Sequence, residues 1–184
     1  MFRQPDKLLE AIEVITSLMI DSIVTSLNTS RGMIALFPLH KGADGWMSDK
    51  QFETFYWPSL KKVINACIDE GILPSLFAEG SYDTRLSSIN GFPKGAVHWI
   101  FDKTDIAKAK KVLGYKCSIS GNVPTSLLMT GTPQQVKEYC RKLIETCAPD
   151  GGYILSPGAS ADYVNIDNLR AMVKAAHEYG VYKK

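Results

Sequence analysis

Two residues that can exchange protons stand directly after apolar runs of the sequence. Glu79 ends the stretch LPSLFAE at residues 73–79, and His40 follows IALFPL at residues 34–39. Apolar runs of this length are typical of buried strands, so both residues are expected where a strand meets a loop. There they could act as acid and base, or supply two ligands to a metal ion. Alternatively, each of the two could be an ordinary solvated loop residue. Glu79 could also belong to an ion pair in the core.

Five short apolar runs alternate with longer amphipathic segments, and these elements must position the two residues. The runs begin at residues 33, 73, 96, 116 and 152, and a helix that starts near Pro5 precedes the first of them. Such alternation predicts an α/β fold with a parallel sheet, covered on both faces. It fits an open doubly wound sheet or part of a (β/α)8 TIM barrel. Because a full barrel takes about 250 residues, 184 residues would supply about five βα units in one incomplete domain.

Both architectures place function at the carboxyl ends of the strands. We call the polar residues that follow the five strands the strand-end rim. Glu79 and His40 are its candidate catalytic residues and its candidate metal ligands, and a third metal ligand is not obvious from the sequence. The other rim residues are candidates for substrate binding, although loops are polar in any case. These residues are Lys41, Asp83, Asp102, Asn122, Ser156 and Gly158.

Cap signals mark where the helices begin. Ser48 with Gln51, and Thr132 with Gln135, form capping-box patterns, and Asn165 is expected to cap the last helix. Asp102 or Thr104 is expected to cap the helix that ends at Gly114. The segment SYDTRLSSI at residues 81–89 is expected to form a short helix.

Composition narrows the classes of function. A net charge of +2 without a dense basic block gives no reason to expect a nucleic-acid partner. No apolar run approaches the roughly 20 residues that span a bilayer, so no membrane association is expected. The four cysteines form no C-x-x-C pair, and the charged start of the chain does not resemble a secretory signal. We therefore expect buried free thiols and a cytoplasmic protein.

The second half of the chain carries a set of motifs that resemble one family. A G-N-x-P turn at Gly121 is followed by a short apolar stretch and a G-T-P-Q-Q-V helix start at residues 131–136. A glycine-rich last strand and a helix that ends in A-x-x-Y-G at residue 180 come next. Together these motifs resemble the C-terminal part of the uroporphyrinogen decarboxylase superfamily, and the resemblance extends upstream over nearly the whole chain. It implies a partial TIM barrel of about five C-terminal βα units preceded by a helix.

One chemistry of the superfamily is cofactor-free decarboxylation of uroporphyrinogen, a tetrapyrrole. The resemblance implies that the essential aspartate and arginines of those enzymes lie in an N-terminal part that has no counterpart here. Their histidine in a G-H-G turn is replaced by Pro157, between Ser156 and Gly158. A decarboxylase-like lyase is therefore the alternative and not the first choice.

The other chemistry is methyl transfer to or from a corrinoid carried by a partner protein. The H-x-C-G zinc turn of the thiol-specific members aligns with Phe77-Ala78-Glu79-Gly80, and their late cysteine aligns near Ala159. Zinc is possible, but its usual ligands are absent. The sequence looks closer to the branch associated with O-demethylation, where an acid protonates the leaving oxygen of a small methylated substrate. If Glu79 is buried, its pKa would be raised and it could be that acid, with assistance from His40.

A partial barrel exposes two sheet edges and apolar faces. The resemblance therefore implies a homo-oligomer or a complementing chain. A third interpretation is an inactive truncated or accessory chain.

Overall fold

The computed structural model describes residues 1–181 and contains one five-stranded, fully parallel sheet. The strands lie in the order β1-β2-β3-β4-β5, so each pairs with its neighbours in the chain. The predicted α/β architecture of about five βα units is confirmed, and every predicted strand is present within two residues of its expected start. The strands are β1 Ile34–Pro38, β2 Leu73–Ala78, β3 His98–Phe101, β4 Ser118–Val123 and β5 Tyr153–Pro157.

Within residues 1–181, seven α-helices accompany the sheet. The long first helix precedes β1, and three helices pack directly against the covered face of the sheet: α3 on β2, α4 on β4, and α6 on both β4 and β5. The last helix packs against α6. Within residues 1–181 no helix is both long enough and apolar enough to cross a membrane. The helices are α1 Pro5–Ser30, α2 Asp49–Gln51, α3 Trp57–Asp69, α4 Ile106–Leu113, α5 Thr125–Thr130, α6 Pro133–Cys147 and α7 Ile166–Tyr179.

The two faces of the sheet differ in what covers them. Side chains that alternate along the strands toward the helices, such as Trp99, Phe101 and Ile119, are fully buried. On the opposite face Ile34 and Leu36 of β1 and Ile154 of β5 are each more than half exposed. We call this second surface the open face. The expectation that both faces are covered is wrong for residues 1–181, because helices pack on one side only.

The segment after β1 begins as predicted and then departs from regular helix. Ser48 and Gln51 form the expected capping box at the start of α2. One wide π-helical turn, Phe52–Tyr56, follows before α3 continues. Pro58 has no N–H to donate to the carbonyl four residues earlier, and its ring crowds that carbonyl. The wider turn accommodates this disruption.

Other local predictions have mixed outcomes. Thr132 caps α6 and Asn165 caps α7, as expected. The cap of α4 is Asp105, whose carboxylate accepts from two backbone N–H groups, so the assignment to Asp102 or Thr104 is wrong. Residues 83–89 form turns and not a helix. All four cysteines are free and buried, which confirms that expectation.

Candidate functional site

Glu79 and His40 are in direct contact at the strand-end rim. Pro38 of β1 pairs in parallel with Phe77 of β2, so the two strands end side by side. A single 3-10 turn after β1 then brings His40 against Glu79. A hydrogen bond joins His40 Nδ1 to Glu79 Oε2. The arrangement lets the imidazole and the carboxylate share one proton, which either group can give to or take from a substrate.

Both partners of this pair remain accessible to water in the described chain. The side chain of His40 is 54% exposed and that of Glu79 is 43% exposed. Phe77 packs edge-on against the imidazole, with 6.4 Å between the ring centroids. The condition of burial, on which the acid hypothesis for Glu79 depended, is not met by residues 1–181. The pair can act as acid or base only to the extent that a substrate or further protein displaces this water.

Lys41 lies beside the pair but extends its ammonium group elsewhere. Its Nζ atom lies 3.5 Å from the ring centroid of Trp46, a cation–π contact. Trp46 is itself more than half exposed. The Lys41 ammonium group therefore lies over an indole ring that solvent can reach. The predicted role of Lys41 in substrate binding stays a prediction.

Asp102 fixes the loop that carries Glu79. Its Oδ2 atom accepts a hydrogen bond from the Gly80 N–H at 3.0 Å. The Lys103 N–H donates to the Gly80 carbonyl, also at 3.0 Å. Gly80 has φ +83°, a left-handed conformation in which glycine is not strained. Asp102 thus orients the backbone next to Glu79.

Asn122 ties the end of β4 to the loop after β3. Its side-chain amide donates to the carbonyls of Asp102 and Thr104, at 2.7 and 3.0 Å. The residue has φ +76°, which asparagine tolerates better than most residues. The preceding Gly121, at φ +106°, passes so close to β3 that an added Cβ would lie 2.3 Å from the Phe101 carbonyl oxygen. The amide donors of Asn122 are therefore already used within the fold.

Asp83 also links two loops. Its carboxylate accepts from the Ser81 hydroxyl at 2.9 Å and from the Asp105 N–H at 3.1 Å. Asp105 is the cap of α4, so this contact joins the loop after β2 to the start of that helix. Like Asn122, Asp83 has part of its hydrogen-bonding capacity committed to loop structure.

Ser156 and Gly158 close the rim at β5. The Ser156 hydroxyl donates to the Pro157 carbonyl at 3.1 Å. The Gly158 N–H donates to the Val123 carbonyl at 2.9 Å, and its Cα is so close to Asp102 that an added Cβ would lie 3.0 Å from the Asp102 Cα. The rim is thus continuous from β1 to β5, with Asp102 near its middle.

A buried arginine that the sequence analysis did not single out locks the loops after β1 and β2 together. Arg85 is only 2% exposed and donates to the Asp49 carboxylate and, at 2.6 Å, to the Met47 carbonyl. Its Nε atom lies 3.6 Å from Asp44 Oδ1. Its guanidinium covers the ring of Phe52. The sequence signal was the polar group DTR shortly after Glu79, but its partners are some 40 residues away.

Tyr82 holds the turn that carries His40. Its hydroxyl donates to the Leu39 carbonyl, and burial raises its pKa well above the ordinary range of tyrosine. An added Cβ on Gly42 would lie 2.4 Å from the Tyr82 hydroxyl oxygen. Tyr82 therefore fits closely against Gly42, and this contact positions the turn that carries His40.

The described residues do not form a complete zinc site. Within residues 1–181 no three or more His, Cys, Asp or Glu side chains gather where they could hold a metal ion. Protein zinc sites take three or four such ligands. His40 and Glu79 provide two and are bonded to each other, so their metal binding stays a prediction.

His98 lies on the open face, away from the rim. Its Nδ1 and Nε2 atoms lie 3.0 Å from the Ser75 hydroxyl and 2.9 Å from the Ser120 hydroxyl. Burial lowers its pKa below the ordinary value, so it is neutral at physiological pH. His98 is thus a half-buried histidine with both ring nitrogens hydrogen-bonded to neighbouring strands.

Comparison with known proteins identifies the family. Residues 1–179 match the family model described as uroporphyrinogen decarboxylase (URO-D). The chain belongs to the URO-D family. No curated protein gives a significant match to the sequence.

A solved structure of a methyltransferase from Methanosarcina mazei resembles this URO-D family member. The TM-score is 0.79 at 19% sequence identity, and the match covers 98% of this chain. At that identity the likeness establishes the fold. The chain spans about half of the methyltransferase, 52% of its length, which agrees with a partial TIM barrel.

Proposed function

We propose that this URO-D family member transfers a methyl group between a small methylated substrate and a corrinoid carried by a partner protein. The observation that carries the proposal is the His40–Glu79 hydrogen bond at the carboxyl ends of β1 and β2. The likeness to a structure described as a methyltransferase supports the choice of chemistry. The loss of the histidine between Ser156 and Gly158 argues against the decarboxylase alternative.

The chemistry asked of this chain is delivery of one proton. A reduced corrinoid on a partner protein would supply the methyl acceptor in demethylation of a methyl ether, a reaction that breaks a carbon–oxygen bond. The bonding electron pair stays on the substrate oxygen, which must take up a proton to leave as an alcohol or phenol. In this proposal the His40–Glu79 pair would donate that proton. Asp102 and Tyr82 hold the two loops that bring the pair together.

The open face supports a second part of the proposal, that a complementing polypeptide closes the barrel. Strands β1 and β5 each have one unpaired edge in the described chain, and apolar side chains of both strands are more than half exposed. An eight-stranded barrel requires three further βα units. Such a partner would cover the open face and exclude water from the His40–Glu79 pair. A homodimer is the alternative, and it would bring five strands where three are needed.

The test of methyl transfer compares two rim variants with matched controls. The 184-residue chain, together with any polypeptide that co-purifies with it, is mixed with a panel of aromatic methyl ethers and reduced cobalamin as the acceptor, and methylation is followed in the visible spectrum. We expect Glu79→Gln and His40→Gln to lower the rate by roughly 10²–10⁴-fold, the usual contribution of general acid–base catalysis. The controls are Glu70→Gln and His177→Gln, which change the same residue types at exposed positions away from the rim.

Three results would contradict the proposal. No methylation by the unaltered chain, with or without such a polypeptide, would favour the inactive or accessory interpretation. Full transfer by Glu79→Gln would exclude the pair as the proton donor. A stable homodimer in light scattering, with the apolar open face protected from hydrogen exchange, would replace the complementing polypeptide with a second copy.

A further inference from the structure

A cavity of about 750 Å³ lies at the end of the sheet opposite the strand-end rim. It opens where β4 and β5 begin, at Ser118 and Gly152, and beside the carboxyl end of α4. The cavity takes no part in the proposed methyl transfer. Its composition nevertheless points to a ligand.

Four lysines and only one carboxylate line this cavity. The lysines belong to three separate segments of the chain, so they are not one charged helix face. Asp150 is the only acidic residue among the lining residues. The lysines are Lys94 before β3, Lys110 and Lys111 on α4, and Lys116 before β4.

None of the four lysines has a carboxylate partner within the part of the chain that the structure describes, and only Lys110 is hydrogen-bonded to a backbone carbonyl of the lining. Among residues 1–181, no carboxylate oxygen lies within 4.0 Å of the ammonium groups of Lys94, Lys111 or Lys116. Lys110 donates to the Gly151 carbonyl at 2.5 Å and so holds the loop before β5 in place. The cavity therefore concentrates positive charge that residues 1–181 do not neutralise.

Glycines give the cavity an accessible backbone wall. Gly95, Gly151 and Gly152 line it with φ of +79°, +75° and +69°. An added Cβ on Gly95 or Gly151 would meet nothing within 4 Å, which shows open space beside both backbones. Glycines at such positions let a ligand approach the main chain closely. The N–H groups of Gly95 and Gly151 already donate to the carbonyls of Lys116 and Ala148, so the lysines supply the charge-assisted contacts that a phosphate group needs.

We propose that this cavity binds a small polyphosphate anion. The phosphates lie among Lys94, Lys111 and Lys116, against the glycine wall. The exposed ring of Tyr115 also lines the cavity and offers a surface on which a nucleotide base could stack. Both inorganic pyrophosphate and a nucleoside triphosphate carry the required chemistry.

The test is calorimetric titration of the 184-residue chain with pyrophosphate and, separately, with ATP and sulfate. We expect saturable binding of pyrophosphate that weakens as salt is added. The double variant Lys111→Ala/Lys116→Ala should raise Kd by about tenfold or more, since each lysine loses a charge-assisted contact. Tighter binding of ATP than of pyrophosphate would identify a nucleotide as the ligand, and equal binding would identify the phosphates alone.

The matched control is Lys108→Ala. Lys108 is on the same helix, but its ammonium group lies 3.7 Å from Asp105 and it does not line the cavity. We expect its Kd to stay within twofold of the unaltered chain, with an unchanged urea midpoint for all variants. The proposal is overturned if pyrophosphate does not bind at millimolar concentration, if sulfate binds equally well, or if Lys108→Ala weakens binding as much as the double variant does.

Discussion

Replacing Arg85 by methionine tests whether the buried guanidinium holds the loops after β1 and β2 in place. Methionine keeps much of the apolar volume that packs on Phe52 and removes the charge and the hydrogen bonds. Asp44, Asp49 and the Met47 carbonyl then lose their common partner. We expect the loops after β1 and β2 to loosen and the whole chain to lose stability.

The size of the effect follows from how much water each partner can regain. Breaking a fully buried ion pair costs about 3–5 kcal/mol. Here the side chain of Asp49 is 67% exposed and can be rehydrated, whereas that of Asp44 is 21% exposed. We therefore expect about 2–3 kcal/mol for Arg85→Met. The control Arg170→Met breaks a pair with Asp167 in which both side chains are about two-thirds exposed, so it should cost at most about 1 kcal/mol.

Urea unfolding followed by tryptophan fluorescence measures both variants. With a denaturant slope of about 2–3 kcal/mol per molar, Arg85→Met should lower the midpoint by about 1 M. Hydrogen exchange should also be faster at the backbone amides of the His40 turn. Arg85 does not contact this turn directly and holds it only through the loops after β1 and β2. An Arg85→Met midpoint no lower than that of Arg170→Met would show that the guanidinium does not stabilise the rim.

Three further predictions concern local structure. Gly121→Ala should destabilise the chain by more than about 2 kcal/mol, because the added Cβ would clash with Phe101. Gly71→Ala is the control: Gly71 has φ +71° but lies in open space, so the change should cost about 1 kcal/mol. Thermal unfolding compares the two variants. The free energy of unfolding, measured from pH 8 to pH 5, should decrease as the pH falls through 6.5 and below. The pKa of His98 is lowered in the folded chain, so the unfolded chain binds the proton first. His98→Asn should remove this dependence of stability on pH. Thr132→Ala should cost about 1 kcal/mol in the same assay and Thr132→Ser much less, since serine preserves the cap; an equal loss in both would refute the capping argument.

Features encoded over a few residues were predictable from the sequence. Apolar runs fixed the strand positions, and short patterns such as Ser48 with Gln51 marked helix starts. The contact between His40 and Glu79 followed from parallel neighbouring strands, which end at the same edge. The catalytic roles of the two residues stay predictions.

Features that depend on distant partners were not predictable in this way. The burial of Arg85 requires carboxylates on the loop after β1, and periodicity does not reveal that pairing. Asp102 has the residue type of a helix cap, but its carboxylate accepts a hydrogen bond from the Gly80 N–H. Asp105 caps α4 instead. The exposure of Glu79 reflects the open face, a property of the whole sheet and not of its own strand.

The strictly sequential order of the strands has a consequence for folding. Every strand pairs only with its neighbours in the chain, so paired residues lie 20 to 39 positions apart and no segment must thread past another. Each strand pair therefore forms between consecutive βα units, which makes the sheet modular. The same modularity means that units can be gained or lost at either edge without rearranging those already folded.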